Sequence, residues 1–543
     1  MVYRIPIAHI LGGSGMAYFS SAYSIFMPVY AIAVSGIPPA VARLTAQECA
    51  LGNYLGARRL RSAANTFFFL TGLAASVILT VCAKPICDII ISEPQSRYAV
   101  VAIAPCIAIG AVAAVERGYA EGMRNMIPTA VSEIIEAVIK LAAGLGFAVM
   151  ASRKAELDFA RSGTVFGTYC ENAQQAQAAA LPIIAAASVL GVTVSNLCGA
   201  AYLWLSRKLT GDGITEDMLS LTQPRAPRRE LLRSLLELTV PFALASVITT
   251  LSGVIDLVTI NRCLEEAFAS DRAYSLRRLA PVVTRLSEGE KLSSFIYGSY
   301  SGLALTISGI IPSLTAMFGR SILPSVSAAH ATNNREALRR SVSEALTMAL
   351  FVCLPCGLGL CVFSNEILQF LFAGRSAEIA VSTDVLSVLG LACIPISLCA
   401  PAFIIFQAAG MYKEPIRITL VGCIIKLAAN MWLVSKPQLG ITGAGIATLI
   451  CYSVMIAMCL SRLRGICGAQ VLSPKRVISI CMASLLSIEG AYLLYRPLSE
   501  HLSLRLPLAL AILFSVNIYI LSSQILSVLP KSLSKSKNHA QSY

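Results

Sequence analysis

Charge is scarce in this chain. Only 13% of its 543 residues are Asp, Glu, Lys or Arg, against 56% hydrophobic ones, a balance that excludes an ordinary soluble domain. Histidine is scarcer still: His9, His330, His501 and His539 stand too far apart for a metal spacing, so neither a metal site nor a cofactor is expected. The sequence has no Gly-x4-Gly-Lys-Ser/Thr loop, which argues against direct ATP hydrolysis. Gly443 and Gly445 in "GITGAGIAT" open an apolar span, where small residues serve close helix packing. An alternating pattern in ten-residue segments is absent too, which argues against a membrane barrel. The 17 cysteines are scattered singly, without the paired spacing of a disulfide framework. Cys353 and Cys356 form a Cys-x-x-Cys inside an apolar span with no His or acid nearby and read as helix filling.

What the chain has is apolar windows of about 20 residues, the length that crosses about 30 Å of hydrocarbon as a helix. Thirteen full spans are expected, centred roughly at 27, 73, 107, 139, 191, 247, 307, 353, 395, 426, 450, 486 and 516. The fold class is therefore all-α: a polytopic membrane bundle. The net charge of +14 needs no nucleic acid, because the basic residues sort by side. Clusters follow every second span: Arg43 with Arg58, Arg59 and Arg61; Arg117 and Arg124; Arg207 and Lys208 with Arg225 to Arg233; Arg320 with Arg335 to Arg340; Lys413 and Arg417; Arg462 to Arg476; and the Lys531 to Lys537 tail. That side is expected to be cytoplasmic. Ahead of the first full span, "MVYRIPIAHILGG" supplies only about ten apolar-leaning residues before a Gly turn, too few to cross. It reads as the back of a helix whose front is missing, with residues 11 to 17 outside and a complete count of fourteen.

The pentapeptide Ile-Lys-Leu-Ala-Ala occurs at 139–143 and again at 425–429. Near the same offset, "NYLGARR" at Asn53 matches "NREALRR" at Asn334, and Pro128 matches Pro415 at the start of the two lysine spans. The chain is thus read as a duplication of about six spans per half, entering the bilayer in the same sense. The expected organisation is an N-terminal lobe over 1–204, a cytoplasmic linker over 205–234, a C-terminal lobe over 235–465 and two additional transmembrane helices over 470–530.

Ionisable residues inside spans are costly and mark function by default. They are Glu133, Glu136 and Lys140, then Asp256, Lys426 and Glu489. Lys140 and Lys426 lie about 16 to 18 Å along their helices, near mid-bilayer. Glu136 and Lys140 have the i, i+4 spacing of an intrahelical pair. Lys426 has Gly422 one turn earlier and no acid within a turn, which makes it the sharper candidate for touching a substrate. Asp256, close to Arg262, fits an ion site or a loop-edge salt bridge.

The segments "YRIPIAHILG", "SGIPPAVARLTAQECALGNYLGARR", "ERGYAEGMRNMIPTAVSEIIEAVIK", "LPSVSAAHATNNREALRRSVSEAL" and "LGITGAGIAT" resemble the stage V sporulation protein B group of polysaccharide and lipid-linked oligosaccharide flippases. That group shares an exporter superfamily with the lipid II flippases and the multidrug and toxin extrusion antiporters. The resemblance implies two six-helix lobes around a central cavity, two extra carboxy-terminal helices and alternating access. It implies basic cavity residues that meet a substrate pyrophosphate: Arg4 matches one of them, and His9 stands where related sequences have Arg. It makes the loops 151–179 and 261–295 look extended. The implied partner is a lipid-linked oligosaccharide within membrane lipids, with Na+ or H+ coupling among the available drives and cell-wall synthesis proteins around it. The leading expectation is a flippase for an undecaprenyl-pyrophosphate-linked sugar, such as lipid II, with Arg4, His9, Glu136, Lys140, Asp256 and Lys426 as candidate cavity residues. The alternative is a cation-coupled drug exporter relying on Asp256 and Glu136. A membrane-embedded transferase would need an acidic or His cluster at a membrane face, and the sequence has none.

Overall fold

The computed structural model describes residues 3–215, 218–219, 227–270, 290–332, 334–411, 413–468, 471–501 and 505–526. Among these, thirteen helical segments are long and apolar enough to cross a membrane, from Arg4–Ala50 to Arg505–Ile525. They correspond one for one to the expected span centres. The sole sheet among the described residues is a two-stranded antiparallel hairpin, β1 (Thr164–Val165) and β2 (Thr168–Tyr169).

The first helix, α1 (Arg4–Tyr30), is two arms folded back at Gly12, whose φ of 62° and ψ of −167° belong to a region nearly reserved for glycine. Nineteen residues of straight helix would put Arg4 and Tyr23 about 28 Å apart. The Arg4 guanidinium carbon instead lies 5.7 Å from the Tyr23 ring centre. The Gly turn read from the sequence is therefore present. A π-helical turn, Ala31–Ser35, leads on to α2 (Ile37–Ala50), which begins with Pro38 and Pro39 where the missing N–H groups cost nothing.

Next come α3 (Tyr54–Pro85), α4 (Arg97–Ile103), α5 (Cys106–Gly122), α6 (Ile127–Ser162), α7 (Ala173–Thr210) and α8 (Arg228–Ser270). The stretch 151–179, expected as a loop, is mostly helix. α6 runs on to Ser162 and closes on Gly163 at φ 66°, and after the hairpin Asn172 caps α7 through Gln175 N. Of the other expected long loop, 261–270 is helix and 271–289 lies outside the described residues.

The chain continues through α9 (Leu292–Ser299), α10 (Ile310–Ala331), α11 (Arg335–Val362), α12 (Ser364–Leu371), α13 (Ser376–Ala408), α14 (Lys413–Val434), α15 (Thr442–Cys467), α16 (Pro474–His501) and α17 (Arg505–Ile525). The repeat is written in the caps. The Asn53 side chain accepts from Gly56 N at 3.1 Å to start α3, and the Asn334 side chain accepts from Ala337 N at 3.0 Å to start α11. Each satisfies a helix-start N–H that has no intrahelical partner.

Contacts divide the chain into two compact units. The first holds the helices up to Arg262 and the segment ending at Gly298; the second holds α8 from Cys263 on and everything from Ser299. In the first, α6 and α7 cross where Gly191 lies against the backbone of Ala143 and Gly144, the close approach that small residues permit in lipid. In the second, α13 is buried along most of its length. There α16 and α17 pack on α12 and the end of α11, where Phe363 meets Ala491, Leu508 and Ala511.

Candidate functional site

In the first unit, the fold at Gly12 lays the short arm of α1 along the long one. Tyr3 is wedged against Gly144 of α6, where an added Cβ would sit 2.6 Å from the Tyr3 hydroxyl oxygen. That hydroxyl donates to the Ser188 carbonyl of α7 at 2.6 Å. Lys140, one turn before Gly144, places its ammonium 5.5 Å from the centres of both the Tyr3 and the Tyr23 rings. Arg4 faces the same Tyr23 ring. Two cations thus share one aromatic ring, attracted by its quadrupole. Neither forms an ion pair with a described carboxylate.

The i, i+4 spacing of Glu136 suggested a pair with Lys140, but Glu136 makes its ion pair to another helix. It is paired with Arg117 of α5, whose Nε also donates to Ser132 Oγ at 3.1 Å, and it rests against Gly199 of α7. Asp256 is 5% exposed on α8. It lies in electrostatic range of the buried Tyr297, as Arg4 does, and Tyr297 hydrogen-bonds Ser24. His9 is half-buried on the short arm of α1. The structure therefore brings Arg4 and Lys140 to one ring, Tyr23, sets Asp256 near Tyr297, and engages Glu136 elsewhere.

Lys426 belongs to the second unit. It is 3% exposed on the buried stripe of α14 that includes Ile418, Thr419, Gly422, Cys423 and Asn430. The two lysine helices differ at three successive turns: Glu136, Lys140 and Gly144 in α6 stand where α14 has Gly422, Lys426 and Asn430. Only α6 carries the notch that admits a tyrosine ring.

Two arrangements have no counterpart in the sequence reading. At the end of the first unit that carries the basic loops, Arg58 grips Asp212 through two bonds of 2.6 and 2.8 Å, and Tyr119 donates to Asp212 at 3.0 Å. Burial pushes the Asp212 carboxyl up, but the hydrogen bonds from Arg58 and Tyr119 outweigh it and hold the group below its usual range. Beside it, buried Glu116 accepts from Arg61 at 3.2 Å and Asn65 at 2.6 Å and pairs with Arg207 at 3.5 Å. Glu116, Tyr119, Arg207 and Asp212 line a cavity of about 450 Å³. In the second unit an apolar cavity of about 410 Å³ is lined by Phe351, Pro355, Phe363, Ile488, Leu508 and Tyr519. The one signal for the aromatic site was the run Phe19, Tyr23, Phe26 and Tyr30, spaced four, three and four, which puts the rings on one helical face.

The thirteen candidate spans and their helix order are similar to those of two solved membrane proteins. A solved lipid II flippase MurJ in an inward closed conformation matches with a TM-score of 0.65 at 13% identity, covering 96% of this chain and 95% of that one. An inward-facing MATE family multidrug resistance transporter matches with a TM-score of 0.60 at 14% identity, covering 86% and 94%. In sequence, residues 291–498 match the family model described as lipid II flippase MurJ, and residues 1–165 match that of polysaccharide biosynthesis proteins. The lipid II flippase MurJ of Bacillus subtilis (strain 168) is 21% identical over 501 residues, covering 90% of this chain and 84% of that protein. Stage V sporulation protein B of the same organism is 20% identical over 457 residues, covering 82% and 76%. The motif resemblance thus extends over most of the chain, which is a multi-pass protein of the cytoplasmic membrane related to both proteins.

Proposed function

We propose that this protein is a flippase that moves an undecaprenyl-pyrophosphate-linked oligosaccharide, a peptidoglycan precursor such as lipid II, to the outer leaflet by alternating access. The observation that carries the reading is the pair Arg4 and Lys140, two cations inside the spans with no carboxylate partner among the described residues. Charge in hydrocarbon is expensive, and two like charges held side by side gain most from an anion. A pyrophosphate supplies that anion, and Lys426 supplies a third cation to its path. The drive is an ion gradient of Na+ or H+, the membrane potential, or consumption of the product outside. Transport rather than bond-breaking fits a site built from cations and rings. The alternative, a cation-coupled drug exporter, asks Asp256 and Glu136 to meet a cation, and of these Glu136 is held by Arg117.

The test is rescue of bacterial cells depleted of their lipid II flippase, read as growth and as outer-leaflet exposure of lipid II. Rescue by the wild type, lost with Arg4→Gln/Lys140→Gln, is expected. Wild-type protein that reaches the membrane and exposes no lipid II would overturn the reading.

A further inference from the structure

Two buried tyrosines, Tyr3 and Tyr23, meet the cations and a third, Tyr297, lies in electrostatic range of Arg4; their hydroxyls are treated differently. Tyr3 donates to the Ser188 carbonyl and Tyr297 pairs with Ser24. Tyr23 is 8% exposed, and its hydroxyl has no hydrogen-bond partner among the described residues. Buried hydroxyls are rarely left unpaired, because the lost water contacts are not replaced. The ring itself is well supported, with Phe19 at 4.8 Å and Phe26 at 6.5 Å between centres, so packing alone would be served as well by phenylalanine. The chain keeps a hydroxyl at the one position where both Arg4 and Lys140 converge. An anion drawn to those cations is an acceptor, and a tyrosine O–H is a donor.

We propose that the Tyr23 hydroxyl is a substrate-binding group that donates a hydrogen bond to the phosphate oxygens of the headgroup held by Arg4 and Lys140. This rests on the flippase reading above. The Tyr23 ring orients the two cations, and its hydroxyl completes the set of donors around the anion. A bound phosphate gives the Tyr23 hydroxyl an acceptor that no described residue supplies.

That asymmetry gives a test that a purely structural tyrosine fails. Wild type, Tyr23→Phe, Lys140→Gln and Arg4→Gln are placed in lipid nanodiscs, and binding of undecaprenyl pyrophosphate is measured alongside ligand-free thermal unfolding. Tyr23→Phe is expected to weaken binding about tenfold, the size of one hydrogen bond to a charged group, while its ligand-free unfolding temperature stays equal or rises. Lys140→Gln and Arg4→Gln weaken binding as well. Displacement by inorganic pyrophosphate would assign the contact to phosphate alone, and displacement only by the lipid would assign it to phosphate in its lipid context; both support the proposal. If the charge variants weaken binding but Tyr23→Phe binds like wild type, the hydroxyl assignment is overturned and the flippase reading stands. If Tyr23→Phe weakens binding only by lowering thermal stability, the residue is structural and the proposal is again overturned. If wild type binds neither probe, the reading beneath it fails and the proposal falls with it.

Discussion

Replacing Arg117 with alanine asks what holds Lys140 available. The Arg117 and Glu136 side chains are each 18% exposed, and breaking a largely buried pair from one side costs about 3 to 5 kcal/mol. Their residual exposure places the expected loss near the lower end, about 3 kcal/mol. The orphaned Glu136 has an escape, because Lys140 lies one turn further along α6 with favourable spacing for a pair. Taking it pulls the ammonium away from the Tyr3 and Tyr23 rings, where the cation–π attraction contributes about 0.5 to 2 kcal/mol. Arg117→Ala should therefore lose stability and flipping activity together. The double variant Arg117→Ala/Glu136→Ala removes the stranded acid, so stability should return to within about 1 kcal/mol of wild type and activity should recover. Thermal unfolding in nanodiscs and rescue of flippase-depleted cells give the two readouts. A double variant that folds well yet stays as inactive as Arg117→Ala would refute the reasoning, since Arg117 would then act on the substrate itself.

Other consequences are equally direct. Gly144→Ala drives a methyl into the Tyr3 ring and should displace both Tyr3 and Lys140, reducing activity several-fold, whereas alanine at Gly146, where a Cβ would meet nothing within 4 Å, should be silent in the same rescue assay. Gly12→Ala forces a side chain into a backbone region essentially reserved for glycine, at a cost of about 1 to 3 kcal/mol, visible as a lower unfolding temperature. Asp212 has a lowered pKa in the fold, so its contribution is present above the ordinary carboxylate value and lost as pH falls through the lowered one. The gap in unfolding temperature between wild type and Asp212→Asn should therefore persist at pH 7 and close below about pH 4. Lys426→Ala should slow flipping at normal expression; an unchanged rate would remove that residue from the path.

Much of this was legible in the residues. The span centres followed from apolar run length alone, because hydrocarbon thickness fixes helix length. The duplication read from Asn53 and Asn334 reappears as the same cap on two helices, and the Gly12 turn appears as a fold in α1. The stretch 151–162 looked like loop because it is polar, yet its Ala, Glu, Leu, Lys and Arg residues are strong helix formers, so α6 runs on. The pairing of Glu136 escaped the sequence because the local rule favoured Lys140, while its actual partner comes from another helix, where no spacing shows it. Tyr23 escaped because an aromatic residue in an apolar span looks like packing until its hydroxyl is seen to lack a partner among the described residues.

The central claim is that Arg4 and Lys140 carry an anionic lipid headgroup through the membrane. The most direct measurement is the rate at which labelled lipid II becomes accessible on the far side of proteoliposomes, for wild type and for Arg4→Gln/Lys140→Gln at matched reconstitution. The account predicts rapid translocation for wild type and a loss of about a hundredfold or more in the double variant, as expected from two charge-assisted contacts of roughly 1.5 to 3 kcal/mol each. Equal rates for the two proteins would contradict it.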